Sequence, residues 1–235
     1  MPDTLHVMAT VILVRHGRSS ANAAGVLAGC APGVGLDEHG QEQAQVTAER
    51  LRGVPVVELV VSPLQRCRET ARPIAEVTGL DPVQDEGLIE VDYGKWQGQA
   101  IKDLLDEPLW ATVQAHPSAV TFPDGESMAA MAARAAAAVR RRDAAIEAEH
   151  GPGAIWVAVS HGDIIKAVLA DALGLHLDLF QRLAVAPASL SIVRYGEKRP
   201  TVVGMNTKAG NLAWLTGADH APVVGGGDSP TPGRA

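Results

Sequence analysis

Residues 11–22 read VILVRHGRSSAN, and this stretch decides the fold class. An apolar run, Val11 to Val14, passes directly into Arg15, His16 and Gly17. Such a run predicts a buried strand that brings a cation and an imidazole to the sheet edge where open α/β folds bind ligands. Arginine there suits a phosphate, because its planar guanidinium donates two hydrogen bonds to an oxyanion. The histidine is then a candidate nucleophile, acid or base; for the tripeptide alone, a surface strand end with an incidental histidine is the alternative.

Two further strand-like runs end in residues of the same chemical kind. Residues 155–162, IWVAVSHG, end in His161 and a glycine and lead into a helical stretch. Residues 56–61, VVELVV, lead into SPLQRCR, which places Arg66 and Arg68 in the first turns of a helix. A helix N-terminus already favours anions. The three strand ends together predict a basic pocket that contains two imidazoles.

The motifs of the chain follow one another in a fixed order between residue 11 and about residue 195. They are RHG at 15–17 with Asn22 after it, GLDEHGQEQA at 35–44, SPLQRCRET at 62–70, LIEVDYGKWQG at 88–98, PDGES at 123–127 and SHG at 160–162. In this order they resemble the histidine phosphatase superfamily, whose fold is phosphoglycerate mutase-like. The resemblance implies an α/β fold: a three-layer α/β/α sandwich with a mostly parallel central sheet and a small cap insertion.

The resemblance also implies a phosphohistidine mechanism and a role for each matching residue. His16 would be the nucleophile that carries the phosphoryl group, and the neighbouring arginines would disfavour its protonated form. Glu90 would protonate the leaving oxygen and later deprotonate water. His161 would be the third catalytic residue. The residues implied to bind the substrate phosphate are Arg15, Asn22, Arg66, His161 and Gly162.

Some residues near these motifs leave alternatives open. Asp92 lies two residues after Glu90, and the resemblance gives the acid role to Glu90, with an ordinary loop carboxylate as the alternative for either residue. Arg18 stands where many relatives have a glutamate, which leaves the core chemistry intact. Arg18, Lys95 and Trp96 are candidate substrate contacts, and ordinary packing is the alternative for the tryptophan.

Three classes of function follow. The expected one is a metal-independent phosphomonoesterase that hydrolyses a small phosphorylated metabolite through a phosphohistidine intermediate. The alternative is a 2,3-bisphosphoglycerate-dependent phosphoglycerate mutase or a related phosphomutase. Arg18 and the YGKWQG sequence after Glu90 argue against this alternative. A non-catalytic phosphate binder is less favoured, because the complete set of reactive residues is present. No cofactor and no metal are expected, since the other histidines form no cluster with metal-ligand spacing.

Composition bounds the remaining properties. With 235 residues, 46% of them hydrophobic, the chain can bury a sizeable core. We expect one domain over residues 1–216, with its cap at about 98–125, and a flexible tail at 217–235. A net charge of −7 argues against a nucleic-acid partner. We expect a small phosphate ester as the only partner, no membrane association and a cytoplasmic location, and a homodimer stays open as the oligomeric state.

Three further stretches of the sequence predict two helices and a hairpin. Asp37 is a predicted N-cap for a helix that runs to about Arg52. An alanine-rich stretch, residues 127–149, predicts a long helix. Its arginines are expected to form a solvated face, with a phosphate or polymer site as the alternative; they are Arg134, Arg140, Arg141 and Arg142. Two late apolar runs, residues 190–195 and 202–206, predict a hairpin.

Overall fold

The computed structural model describes residues 7–196 and 199–208 of the chain. The predicted tail, residues 217–235, lies outside these residues, and so do both ends of the predicted domain, whose bounds stay a prediction. The elements are, in chain order, β1 (Val7–Arg15), α1 (Ser20–Ala24), α2 (Glu38–Arg50), β2 (Val56–Val61), α3 (Gln65–Thr78), β3 (Val83–Gln84), α4 (Ile101–Leu104), α5 (Pro108–Ala115), α6 (Met128–His150), β4 (Ile155–Ser160), α7 (Gly162–Leu173), β5 (Leu190–Gly196) and β6 (Thr201–Thr207).

The strands form one six-stranded sheet in the order β3-β2-β4-β1-β5-β6. The first four strands of this order are parallel, β5 pairs antiparallel with β1, and β6 pairs antiparallel with β5. In the register of the central strands, Arg15 pairs with Ser160, and Val61 pairs with Val159. The carboxyl ends of β1, β4 and β2 therefore meet at one point of the sheet edge.

The side chains of β1 show why the fold has three layers. Val11 and Leu13 belong to a core cluster that α6 and α7 complete, whereas Ile12 and Val14 belong to a second cluster with α2 and α3. Successive side chains of a strand point to opposite faces, so an apolar run with no polar interruption is covered on both faces. The predicted α/β/α sandwich with a mostly parallel sheet is confirmed.

Side-chain caps fix the predicted helix starts. The Asp37 side chain accepts a hydrogen bond from the Gly40 N–H at the start of α2, and Ser127 accepts one from the Ala130 N–H at the start of α6. Such caps satisfy N–H groups that have no partner within the helix. The predicted hairpin is formed by β5 and β6.

The predicted cap region contains α4, α5 and a 3₁₀ turn, Pro117–Ala119. It is joined to the segment after α1 by backbone hydrogen bonds, from the Leu27 N–H to the Gln99 oxygen and from the Ile101 N–H to the Gly25 oxygen, at 2.9 and 2.8 Å. Its function as a cap stays a prediction. Within residues 7–196 and 199–208, no helix is both long enough and apolar enough to cross a membrane.

Candidate active site

Two buried histidines lie next to each other at the shared edge of the central strands. His16 directly follows β1 and His161 directly follows β4, and their ring centroids lie 5.3 Å apart. Their exposed fractions are 3% and 0%. The parallel register of β1 and β4 places both residues at the same end, as the strand-end pattern predicts.

Arg66, in the first turn of α3, connects the two imidazoles. Its Nε donates to His16 Nε2 at 3.2 Å, and its Nη2 donates to His161 Nδ1 at 3.0 Å. A guanidinium only donates, so both of these ring nitrogens accept. His16 then carries its proton on Nδ1, which donates to the Gly17 carbonyl oxygen at 2.7 Å, and His161 carries its proton on Nε2, which donates to Ser62 Oγ at 2.7 Å.

Burial and neighbouring cations keep both histidines neutral. Desolvation lowers the pKa of His16 well below 6.5, Arg66 and Arg15 lower it further, and the hydrogen bond to Gly17 opposes them. The pKa of His161 is lowered in the same direction, mainly by burial and then by Arg66. A neutral His16 whose Nε2 carries no proton and accepts from Arg66 Nε has the protonation state that a nucleophile needs.

Arg15 is buried against the start of α7. Its Nη1 donates to the Val185 carbonyl oxygen at 2.7 Å. A Cβ on Gly162 would lie 3.4 Å from Arg15 Nε, so the guanidinium rests close to the first residue of the helix. Arginine and a helix N-terminus both attract anions, and here they share one corner of the site.

Asn22 is held by a capping box at the start of α1. Its Oδ1 accepts from the Ser19 N–H at 3.0 Å and from Ser19 Oγ at 2.9 Å, and the Asn22 N–H donates to Ser19 Oγ. The amide oxygen is therefore engaged, and Nδ2 is the atom of this side chain that can donate to a ligand.

Glu90 is buried, whereas Asp92 is exposed. Residues two apart share a face of a regular strand, and the segment that carries these two carboxylates forms no strand. Glu90 Oε1 accepts from the Val91 N–H at 3.1 Å. Burial, and next the charge of Asp163, raise the pKa of Glu90 to about 7, against the opposing effects of Arg66 and Arg15. A carboxyl with this pKa can give and take a proton near neutral pH.

A loop between α1 and α2, residues 25–36, covers the site. The Gly29 carbonyl oxygen accepts from Arg66 Nη2 at 2.8 Å. The Cys30 N–H donates to Gln97 Oε1 at 2.8 Å, and its thiol donates to the Glu90 carbonyl oxygen at 3.2 Å. We call this segment the covering loop.

Two residues of the SPLQRCRET motif have structural roles that the sequence analysis missed. The Gly17 N–H donates to Thr70 Oγ1 at 3.0 Å, which ties the segment after His16 to α3. Ser62 Oγ accepts a hydrogen bond from His161 Nε2. The only signal for either residue was its place inside a recognisable motif, because both roles depend on contacts between distant segments.

The candidate substrate contacts have partners of their own. Arg18 Nε pairs with Asp37 Oδ2 at 2.7 Å, and Lys95 Nζ pairs with Asp124 Oδ2 at 3.0 Å. Trp96 is buried, and its ring packs against Phe122 at a centroid distance of 5.4 Å. These contacts favour packing for Trp96, and a substrate role for the three residues stays a prediction.

Other predicted charges are placed differently from the expectation. Arg68, which the sequence predicts to be part of the basic pocket, is exposed on α3. Arg134, expected on a solvated face, is mostly buried, since its Nη1 donates to the Ile89 carbonyl oxygen at 2.9 Å and its guanidinium pairs with Glu126 at 2.9 Å. Arg134 therefore braces the segment that leads into Glu90. Among the described residues, no three His, Cys, Asp or Glu side chains are grouped so that they could hold a metal ion.

The chain is similar to characterised families along most of its length. The family model described as the histidine phosphatase superfamily (branch 1) matches residues 11–208. Phosphoserine phosphatase 1 of Hydrogenobacter thermophilus is 29% identical over 202 residues, which cover 85% of this chain and 92% of that protein. The probable phosphoglycerate mutase GpmB of Yersinia pestis is 33% identical over 192 residues, 81% of this chain and 86% of that protein.

Solved structures show the same fold. A mycobacterial glucosyl-3-phosphoglycerate phosphatase in complex with VO3 superposes with a TM-score of 0.76 at 29% identity, over 85% of this chain and 99% of that one. The alpha-ribazole phosphatase of Shigella flexneri superposes with a TM-score of 0.72 at 25% identity, over 86% of this chain and 98% of that one.

Proposed function

This chain belongs to the histidine phosphatase superfamily (branch 1), and we propose that it is a phosphomonoesterase that transfers a phosphoryl group from a small phosphorylated metabolite to His16 and then to water. Phosphatase activity is supported by the family and by relatives named as phosphatases. The observation that carries the finer proposal is the pair of neutral imidazoles bridged by Arg66.

In the first half-reaction, His16 Nε2 attacks phosphorus opposite the leaving oxygen. The Nε2–P bond forms as the P–O ester bond breaks, and the proton of Glu90 passes to the leaving oxygen. In the second half-reaction, water attacks the phosphorus of phospho-His16 and gives its proton to Glu90. The Nε2–P bond breaks, and orthophosphate is released.

Arg15 and Arg66 are the proposed ligands of the phosphoryl oxygens, with the Asn22 amide and the Gly162 N–H beside them. Arg66 Nη1 is buried and has no hydrogen-bond partner among the described residues, which fits a ligand at this position. His161 is the proposed neighbour of the same ligand. In the free protein its Nδ1 accepts from Arg66 Nη2 and its Nε2 donates to Ser62 Oγ.

The phosphomutase alternative rests on one relative named as a probable phosphoglycerate mutase. Against it, Arg18 occupies the position of a mutase glutamate and is held by Asp37. The two reactions are separated by offering 3-phosphoglycerate with catalytic 2,3-bisphosphoglycerate, and in parallel a panel of monoesters that includes phosphoserine. We expect orthophosphate release and negligible 2-phosphoglycerate. Efficient isomerisation that depends on the bisphosphate would establish the mutase instead.

The nucleophile is tested with His16→Ala, and His39→Ala on the exposed face of α2 serves as the control. We expect His16→Ala to lose turnover and His39→Ala to keep it, because His16, unlike His39, lies in the buried site. Rapid acid or base quenching of the wild type with labelled substrate should trap an acid-labile, base-stable phosphoenzyme. The wild type should keep its activity in EDTA. Turnover by His16→Ala, or loss in EDTA that a divalent ion restores, contradicts the proposal, and phosphate binding without turnover by the wild type would indicate a binding protein.

A further inference from the structure

Asp163 is a fully buried carboxylate that the proposed reaction does not use. It lies in the first turn of α7, two residues after His161, and its exposed fraction is 0%. Tyr93 OH donates to its Oδ2 at 2.8 Å, and Lys166 Nζ lies 3.6 Å from its Oδ1. A buried charge is costly unless it is paired and hydrogen-bonded, so this group calls for an explanation beyond helix capping.

The cation beside Asp163 is held just as firmly. Lys166 is 4% exposed. Its Nζ donates to Gln181 Oε1 at 3.0 Å and lies 5.2 Å from the centre of the Phe180 ring. Lys166 and Asp163 therefore form a buried ion pair.

The pair reaches Glu90 through Tyr93. Tyr93 follows Glu90 by three residues on one segment, so its hydrogen bond to Asp163 fixes the distance between that segment and α7. After burial, the charge of Asp163 is the largest influence that raises the pKa of Glu90. The other titratable or charged groups around Glu90 are Arg15 after β1, Cys30 in the covering loop, Arg66 and Cys67 on α3, Tyr93 on its own segment and Arg134 on α6.

A count of charges shows what the pair does once substrate is bound. Arg15 and Arg66 together balance a phosphate dianion, and Lys166 balances Asp163. The two histidines are neutral before binding. A negative charge on Glu90 would then have no counter-ion inside a buried site, so the neutral acid is the favoured form.

We propose that Asp163 is a positioning residue: held by Lys166 and Tyr93, its carboxylate keeps on Glu90 the proton that the leaving oxygen takes. This inference rests on the proposed acid role of Glu90. The same negative charge makes the Glu90 carboxylate a stronger acceptor of the proton of water in the second half-reaction. Asp163 itself touches neither substrate nor His16.

The test is the pH dependence of phosphoenzyme formation in single turnovers, with phosphoserine at saturation. Asp163→Asn removes the charge and keeps the shape. In its plot of rate against pH, we expect the high-pH limb, where the rate falls as Glu90 loses its proton, to move to lower pH by about one to three units. This is the usual effect of a nearby charge. Asp171→Asn, on the same helix but paired with Arg140 near the surface, is the control and should leave the limb in place. A folded Asp163→Asn whose limb does not move overturns the proposal.

Lys166→Met should shift the high-pH limb in the opposite direction. Removing the cation leaves more negative charge near the carboxyls, so the limb should move to higher pH. Non-specific damage to packing would not shift the two variants in opposite directions. Limbs that move in the same direction contradict the proposal.

A measurement on the wild type keeps the proposal testable if neither variant folds. The infrared C=O band of protonated Glu90, identified by its absence in Glu90→Gln, should persist to near-neutral pH. Its disappearance below about pH 5.5, close to the ordinary range of a glutamate, overturns the proposal. If Glu90→Gln slows alkyl and aryl esters equally, the acid role itself fails. If Glu90→Gln slows only alkyl esters while Asp163→Asn leaves the limb unmoved, only the role of Asp163 fails.

Discussion

His16 and Glu90 are each held in the neutral form by burial, although one is a base and the other an acid. Desolvation lowers the pKa of His16 well below 6.5 and raises that of Glu90 to about 7. An unprotonated nucleophile and a protonated acid can therefore coexist in one pocket near neutral pH. Environments that separate two pKa values in this way assign the acid and base roles of a site.

Glu90→Gln should discriminate between substrates by their leaving groups. With phosphoserine, whose alkoxide needs a proton, we expect phosphoenzyme formation to slow by about 10² to 10⁴, the range of positioned acid catalysis. With p-nitrophenyl phosphate, whose leaving group is already a weak base, the same step should slow much less. Burst kinetics separate this step from dephosphorylation, which also requires Glu90. Equal slowing of the two esters would make Glu90 a positioning group only.

The residues to which we assign the chemistry were predictable because each stands at a strand end or in a motif. His16, Arg66 and His161 followed from runs of apolar residues that stop at charged ones, and Glu90 followed from the resemblance. Asp163 was not predictable as part of the site. A carboxylate in the first turn of a helix is ordinarily explained by the helix dipole, and only the fold shows that it points inward to Tyr93 and Lys166.

Helix α3 positions the proposed nucleophile, His16, as well as the proposed phosphate-binding Arg66. Thr70 Oγ1 donates to the Arg66 carbonyl oxygen at 2.7 Å and accepts from the Gly17 N–H at 3.0 Å. Gly17 also lies so close to Gly40 that a Cβ on it would overlap the Gly40 carbonyl oxygen. The loop that carries His16 is thus clamped between α3 and α2.

Thr70→Val should therefore weaken both stability and catalysis. It leaves the buried Gly17 N–H without an acceptor, which costs about 1–3 kcal/mol, and it loosens the loop after His16. Thr78→Val is the matched control, because Thr78 Oγ1 makes the same bond along α3, to the Ile74 carbonyl oxygen at 2.8 Å, with no second partner in the described contacts. We expect the control to change the free energy of unfolding by less than about 0.5 kcal/mol. Urea denaturation and kcat for the two variants check this, and equal effects would count against the clamp.

Elements were predictable where a local signal exists. The apolar runs predicted β1, β2 and β4, the Asp37 cap predicted the start of α2, and the alanine-rich stretch from residue 127 predicted α6. The position of β4 between β1 and β2 was not predictable, because an apolar run shows that a strand is buried but not which strand lies beside it. Residues 98–125 gave no clear period because prolines divide them into short helices, with Pro108 starting α5 and Pro117 starting the 3₁₀ turn.

The stability of the whole molecule should depend on pH through the same buried groups. His16 and His161 have lowered pKa values in the folded state, so the unfolded chain binds more protons and stability falls as pH drops below about 6.5. Glu90 acts with the opposite sign. Its pKa rises from 4.5 to about 7 on folding, so the folded chain binds more protons and stability falls as pH increases through this window.

Glu90→Gln should remove the second effect. Glutamine does not titrate, so the variant should gain stability relative to the wild type as pH rises from 4.5 to 8. At about 1.4 kcal/mol for each unit of pKa difference, the gain is on the order of 3 kcal/mol. Urea denaturation of both proteins at several pH values measures it. Stability curves that run parallel across this range would show that Glu90 is ionised in the fold.

The hydrogen bond from Arg66 to the Gly29 carbonyl oxygen bears on how the enzyme releases its product. A buried guanidinium that lost its ligand and found no other acceptor would hold the product back, because an unsatisfied buried donor costs about 1–3 kcal/mol or more. Here the covering loop supplies an acceptor 2.8 Å from Nη2. In the proposed site, orthophosphate would compete for Arg66 with an oxygen that belongs to the chain and cannot diffuse away. We therefore expect weak product inhibition, and turnover that continues as orthophosphate accumulates.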